Sequence, residues 1–273
     1  VADSSHARQG NGTQRQVRTA DSLAEAPAVD HVRIMTVNAH KGFSPLNRHY
    51  VLPELREAVR SEDADLVFLQ EVLGSHRHHG RRHPNWSEVP QYEFLADSLW
   101  PVFAYGRNAV YPDGEHGNAL LSKYPIVRHE NLDISIKGSE QRGLLHSILA
   151  LPEAVELHAI CVHLGLDERQ RQQQLQLLCR LLESLPAKAP VIVAGDFNDW
   201  RCRADAQLAA CGLHEVFTEA HGKPARSFPA RWPLLCLDRI YLRNARAHQP
   251  KVMSRKPWTH LSDHLPLAVE VRW

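Results

Sequence analysis

The sequence has no Cys-x-x-Cys pair, no apolar run of about 18 residues such as a membrane span needs, and no excess of charge of either sign. Each absence removes a class of function. Lys and Arg number 32 against 31 Asp and Glu, a formal net charge of +1. A dedicated non-specific DNA binder gains most of its affinity from phosphate neutralisation, so this balance argues against a processive nuclease. It leaves room for a local basic groove. The five cysteines (Cys161, Cys179, Cys202, Cys211 and Cys236) form an odd set spaced like neither a disulfide framework nor a zinc ribbon. Four lie in apolar surroundings and read as buried free thiols, which fits a reducing compartment. The first residues lack the apolar segment of a secretory signal, so a cytoplasmic location without stable membrane insertion is expected. The sequons at Asn11 and Asn85 would matter only in a secreted protein.

What is present organises itself as one body. Residues 1–29 are rich in Ala, Gln, Ser, Arg and Gly and have too little apolar surface to offset ordering entropy, so a disordered leader is expected. Residues 30–273 have no linker and no repeat, and read as one α/β domain. His31–Val37 alternates like a strand, and Val51–Ser61 has Leu52, Leu55 and Val59 on one helical face. Ala64–Leu69 and Val191–Ala194 are apolar runs of strands buried on both sides. Further strands are expected over 117–122, 144–151, 155–162, 237–242 and 265–271. The clearest helix is Asp167–Leu185, with Leu175, Leu178, Leu182 and Leu185 as its apolar stripe and a Gln/Arg-rich start that should face water.

Polar residues of one kind recur where these strands end: Asn38, then Gln70-Glu71, then His163, then Asp196-Phe197-Asn198-Asp199. Asp238 lies in a later strand, and Asp263-His264 opens the last. Singly, each is an ordinary cap or turn residue. Asn38, Glu71, His163, Asp196, Asn198, Asp238, Asp263 and His264 together supply two histidines, four carboxylates and two side-chain amides, the set that metal-assisted phosphoryl hydrolysis needs. Carboxylate oxygens suit Mg²⁺ or Mn²⁺, amides hold phosphate oxygens, and a histidine paired with an aspartate orients or deprotonates water.

In this order, with Asn38, LQEV around Glu71, VHLG around His163, GDFND from Gly195, LDRIY around Asp238 and SDHLP around Asp263-His264, the chain resembles the endonuclease/exonuclease/phosphatase (deoxyribonuclease I-like) superfamily over about residues 30–272. GNALLSKYPI from Gly117 and Arg142-Gly143 are also similar to family segments. The likeness is strongest, through TVNAHKGF and VHLGL, to uncharacterised bacterial metal-dependent hydrolases. It implies a four-layer α/β sandwich of two mixed sheets packed face to face with helices outside. It implies Glu71 as principal Mg²⁺ (or Mn²⁺) ligand with Asn38 and Asp263 close by, Asp196 and Asn198 flanking the phosphate, and His163 on its oxygens or leaving group. It further implies His264 as general base oriented by Asp238, or Asp196 as the base instead. Asn118, Arg142 and Trp258 are candidate substrate contacts.

Other features keep two readings. The basic run His76–His83 is a phosphate-grasping loop or a solvated one, and Trp86, Trp200, Trp232 and Trp258 stack bases, touch lipid or pack. The expected activity is hydrolysis of a phosphodiester or phosphomonoester, in a nucleic acid, nucleotide, inositol phosphate or phospholipid head group. A structure-selective endonuclease or exonuclease on DNA is the alternative. A non-catalytic binding module would show gaps in the catalytic set, and every position is filled. An exported effector would need a signal this N-terminus does not show.

Overall fold

Strand periodicity builds the body. A computed structural model describes residues 31–76 and 86–273. The expected leader, and all of the basic run after His76, lie outside the described residues. Six strands form the first sheet: β1 (His31–Asn38), β2 (Leu66–His76), β3 (Val102–Tyr111), β4 (Gly114–Ser122), β11 (Arg246–Val252) and β12 (Leu267–Arg272), in the order β11-β12-β1-β2-β4-β3. The second holds β5 (Ile126–Asp133), β6 (Gly143–Ala150), β7 (Glu156–His163), β8 (Val191–Asp196), β9 (His214–Glu215) and β10 (Asp238–Arg243), in the order β5-β6-β7-β8-β10-β9. Only β1–β2 and β7–β8 run parallel among these pairs. Each parallel pair is joined by a helix, α1 (Leu52–Ser61) or α3 (Glu168–Ser184), as crossover geometry requires.

Successive strand residues point to opposite faces, and that alternation makes three apolar layers. Ile34, Phe68, Ala159 and Ile192 turn inward and fill the space between the sheets. Their neighbours Met35 and Val67 turn outward and pack under α1 with Leu52 and Leu55. Ile160 and Val193 turn outward on the other sheet, under Leu175 and Leu178 of α3. Shorter helices complete the outer layers: α2 (Gln91–Ala96), α4 (Ala204–Ala210), α5 (Val216–His221) and α6 (Trp258–Leu261). The result is the four-layer α/β sandwich.

Two expectations are corrected. Cys179, near the end of α3, is disulfide-bonded to Cys211, which caps α4, so only Cys161, Cys202 and Cys236 are free thiols. The two half-cystines lie 32 residues apart in sequence, a separation that spacing rules do not flag. The bond removes the ground on which a reducing compartment was expected. The start of α3 does not simply face water either. Asp167 caps the helix by accepting from the amides of Arg169 and Gln170, while Gln170, Arg171 and Gln174 are buried. Gln174 accepts from the amide of Gly165 at 2.8 Å and donates to the Ile134 carbonyl at 3.3 Å. Arg171 donates to the carbonyls of Gly165 and Leu166. Among the described residues, no helix is long and apolar enough to cross a membrane.

Candidate functional site

Strand register assembles the site. His163, the last residue of β7, pairs in register with Asp196, the last of β8, and Asp196 pairs with Asp238, the first of β10. On the facing sheet, Asn38 at the end of β1 pairs with Gln70 of β2. The polar row therefore lies along one rim of both sheets, and Asn38 crosses the gap by donating from Nδ2 to Asp196 Oδ2 at 3.1 Å.

Local backbone aims the remaining groups. β2 does not end at Glu71, as its sequence suggests, but runs on to His76, and Glu71 sits at an irregularity between Leu69 and Val72 with φ of 53°. A bulge of this kind re-aims a side chain that a regular strand would bury. Gly195 has φ of 147°, and a Cβ there would fall 2.0 Å from the Val162 carbonyl, so the β7–β8 contact admits only glycine. Asn198, at φ of 51°, gives its amide NH to Asp196 Oδ1 and its Nδ2 to the Leu164 carbonyl, both at 2.9 Å. Non-glycine residues at positive φ are uncommon, and His40 and Lys41 join Glu71 and Asn198 in that region around this one site.

Asp196 is the hub. Its Oδ2 lies 3.6 Å from His163 Nε2 and 3.9 Å from His264 Nε2, and His264 Nδ1 is 2.8 Å from Asp238 Oδ2. His264 and Asp263 lie in the loop before β12 rather than opening the strand, and Phe228 packs its ring 4.9 Å from the His264 ring. Burial disfavours charge on His264, but the Asp238 and Asp196 carboxylates outweigh it and raise the imidazole to about 10. Burial, reinforced by Asp238, pushes the Asp196 carboxyl up, so it holds a proton far more readily than an exposed carboxylate. Burial keeps His163 neutral. Burial also opposes ionisation of Glu71, yet its cationic surroundings hold it near 2. Lys41 is one source of that charge, its Nζ 3.3 Å from Glu71 Oε2.

Glu71, Arg142, His163, Asp196, Asn198 and His264 all line one cleft of about 380 Å³. Asn38 and Asp238 reach it through Asp196 and His264. Asp263 faces His40 Nε2 at 3.7 Å, and the His40 amide donates to Asn38 Oδ1, so one 3-10 turn (His40–Gly42) touches all three candidate metal ligands. Their oxygens are hard donors and fit a small divalent cation. Asp196, Asp238 and His264 also bring ligand atoms within 4.8 Å of one another. Arg142 ion-pairs with Glu140 at 2.8 Å beside the cleft.

Two candidates sit elsewhere. Asn118 is fully buried and gives its Nδ2 to the carbonyls of Gly143 and Cys161, pinning the sheets together. Trp258 is 4% exposed and packs in the core under α1, apart from the residues that line the cleft. Sequence reading passed over His40, Lys41 and Glu140. The signal available for the first two was a pair of basic residues before a glycine, separated from Asn38 only by Ala39.

Three comparisons place this geometry among known proteins. The family model described as "Endonuclease/Exonuclease/phosphatase family" matches residues 35–264. An uncharacterized Escherichia coli (strain K12) protein, YbhP, is 53% identical over 241 residues, covering 88% of this chain and 95% of the relative. The solved endonuclease/exonuclease/phosphatase of Beutenbergia cavernae DSM 12333 superposes with a TM-score of 0.73 at 19% identity, over 89% of this chain and 72% of the other. D. rerio TDP2, solved complexed with single strand DNA product, gives 0.67 at 18% identity over 90% and 100%. The chain belongs to the endonuclease/exonuclease/phosphatase family.

Proposed function

We propose that the protein is a divalent-metal-dependent phosphoesterase that hydrolyses a phosphate ester by attack of water at phosphorus. The observation that carries this reading is the buried Asp238–His264 pair pointing its second imidazole nitrogen toward Asp196 in a cleft that also holds Glu71. Glu71, Asp263 and Asn38 would hold Mg²⁺ or Mn²⁺. The cation, when bound, supplies Lewis-acid polarisation of a phosphoryl oxygen.

The chain's own residues divide the remaining work. Asp196, desolvated among His163, Asn38 and His264, takes the proton of the attacking water as its oxygen bonds phosphorus; the ester P–O bond breaks, and the leaving oxygen takes a proton from solvent. Asp238 accepts from His264 Nδ1–H, fixing the ring so that Nε2–H is directed at a phosphoryl oxygen as charge grows there. Asn198, locked by Asp196 and Leu164, and His163 flank the same oxygens. Arg142 contributes a positive charge to the lining of the cleft, tempered by Glu140. Of the two bases considered from sequence, this arrangement favours Asp196, because a histidine enclosed by two carboxylates keeps its proton.

Purified protein incubated with Mg²⁺ and bis(p-nitrophenyl) phosphate, p-nitrophenyl phosphate or a single-stranded oligonucleotide tests the reading. Hydrolysis of at least one is expected, with Asp196→Asn lowering kcat by about 10²–10⁴-fold. Undiminished turnover in Asp196→Asn would remove Asp196 as base.

A further inference from the structure

The cleft is lined by two kinds of side chain. Its polar lining includes Glu71, Glu140, Arg142 and His163, and its apolar lining is Leu166, Trp200, Phe228, Leu235 and Leu237. The apolar lining continues onto the surface. Leu166 is 76% exposed and Trp200 50% exposed. Phe228 and Leu235 bridge across a tight loop whose tip, between them, presents Trp232 at 73% and Leu234 at 66% exposure. Single exposed apolar side chains are ordinary, but four large ones gathered at the mouth of one polar cleft are not.

The segments that carry Trp200, Trp232 and Leu234 hold charge of one sign. Residues 200–203 and 222–236 contain Arg201, Arg203, Lys223, Arg226 and Arg231 and no Asp or Glu, in a chain whose net charge is only +1. All five basic side chains are exposed. Arg201 lies over the Trp200 ring at 4.4 Å, and Arg203 reaches Glu168 at 3.5 Å. The acids at the rim, Asp167 and Glu168, are occupied as the α3 cap and by Arg171 and Arg203.

We propose that this rim docks the protein on an anionic phospholipid bilayer, with Leu166, Trp200, Trp232 and Leu234 entering the interface and the arginines meeting lipid phosphates. Leucines at two of the four positions distinguish this from a base-stacking platform, since an aliphatic side chain has no π-face for a base, and Arg201 already covers one face of Trp200. Apolar side chains ringed by Arg and Lys are the composition of an interfacial anchor, where apolar burial and attraction to anionic lipid act together. Docking in this way sets the cleft against the head-group layer and makes a lipid-borne phosphate ester its substrate class. That last step rests on the phosphoesterase reading; the docking itself does not.

Flotation of the full chain with vesicles of phosphatidylcholine, or of an equimolar phosphatidylcholine–phosphatidylglycerol mixture, in EDTA, separates the two. Binding to the mixed vesicles is expected, weak or absent on pure phosphatidylcholine, and reduced as salt rises. The double variant Trp232→Glu/Leu234→Glu, altered only at the exposed tip, should lose at least about tenfold in partitioning. Its melting temperature and its turnover of bis(p-nitrophenyl) phosphate with Mg²⁺ should match the parent. Equal partitioning of variant and parent would overturn the proposal. So would failure of the parent to float with either vesicle, or a variant that instead loses single-stranded oligonucleotide binding. Vesicle binding without hydrolysis of any ester would leave the docking surface standing and remove the phosphoesterase reading alone.

Discussion

At the scale of single residues, the site is built from side chains held where an unconstrained chain would not put them. Glu71 and Asn198 both occupy the left-handed region, at a cost of about 1–3 kcal/mol each in general. Asp196 and His264 are buried polar groups whose partners are one another's neighbours. Such groups act as a unit, so their variants should not combine multiplicatively. His264→Ala is expected to lower kcat by about 10²–10⁴-fold, and Asp238→Asn to lower kcat with little effect on KM. The double variant should be hardly slower than His264→Ala alone, because Asp238 works through the ring it holds at 2.8 Å. Steady-state kinetics of the four proteins measure this; losses that multiply would give Asp238 a separate role.

At the scale of elements, two buried features make predictions about stability. The Cys179–Cys211 bond ties α3 to α4 and closes a loop of 32 residues, which chain-entropy arguments value at roughly 3–4 kcal/mol. Cys179→Ser/Cys211→Ser should therefore unfold at clearly lower urea, and thiol titration of the unreduced chain in denaturant should find three groups rather than five. The second feature is the stacked pair His146 and His158 on β6 and β7, joined Nε2 to Nδ1 at 2.9 Å. Burial lowers His146 to about 4 and lowers His158 as well. The unfolded chain takes up these protons near 6.5 and the folded one does so only lower, so stability is lost as pH falls from about 6.5 toward 4. Denaturant melts across that window should show a shallower decline in His146→Leu than in the parent; an unchanged slope would show that other groups govern acid unfolding.

Legibility from sequence divided along the same lines. Val191–Ala194 and the stripe Leu175, Leu178, Leu182 were readable because buried elements have strong periodicity. β5, with His129 and Glu130 exposed, and β11, with Pro250 in an edge strand, carry little alternation and escaped notice. Asp196, Asp238 and His163 stand out in the sequence because strand-end carboxylates and histidines are conspicuous, and their Cα register is what brings them together. Trp258 misled because proximity in sequence to Asp263 says nothing about which way a ring points. The disulfide and the cation–carboxylate pair Lys41–Glu71 are long-range or bulge-dependent contacts with no local signature.

At the scale of the whole molecule, near-zero net charge coexists with an uneven surface. Acidic and histidine groups gather at one end of the two sheets, and an apolar rim set among exposed arginines lies against them. The sandwich supplies rigid strand ends from both sheets, which is how residues as distant in sequence as Asn38 and His264 come to share one cleft. The account stands or falls on metal-dependent ester hydrolysis at that cleft. The decisive measurement is the rate of phosphate-ester hydrolysis as Mg²⁺ is titrated into EDTA-stripped protein, for the parent and for Glu71→Gln with its fold verified by circular dichroism. The account predicts no turnover without metal, saturable recovery in the parent, and a severe loss with a rightward-shifted Mg²⁺ dependence in Glu71→Gln. Full turnover in EDTA, or a Glu71→Gln titration that overlays the parent's, would contradict it.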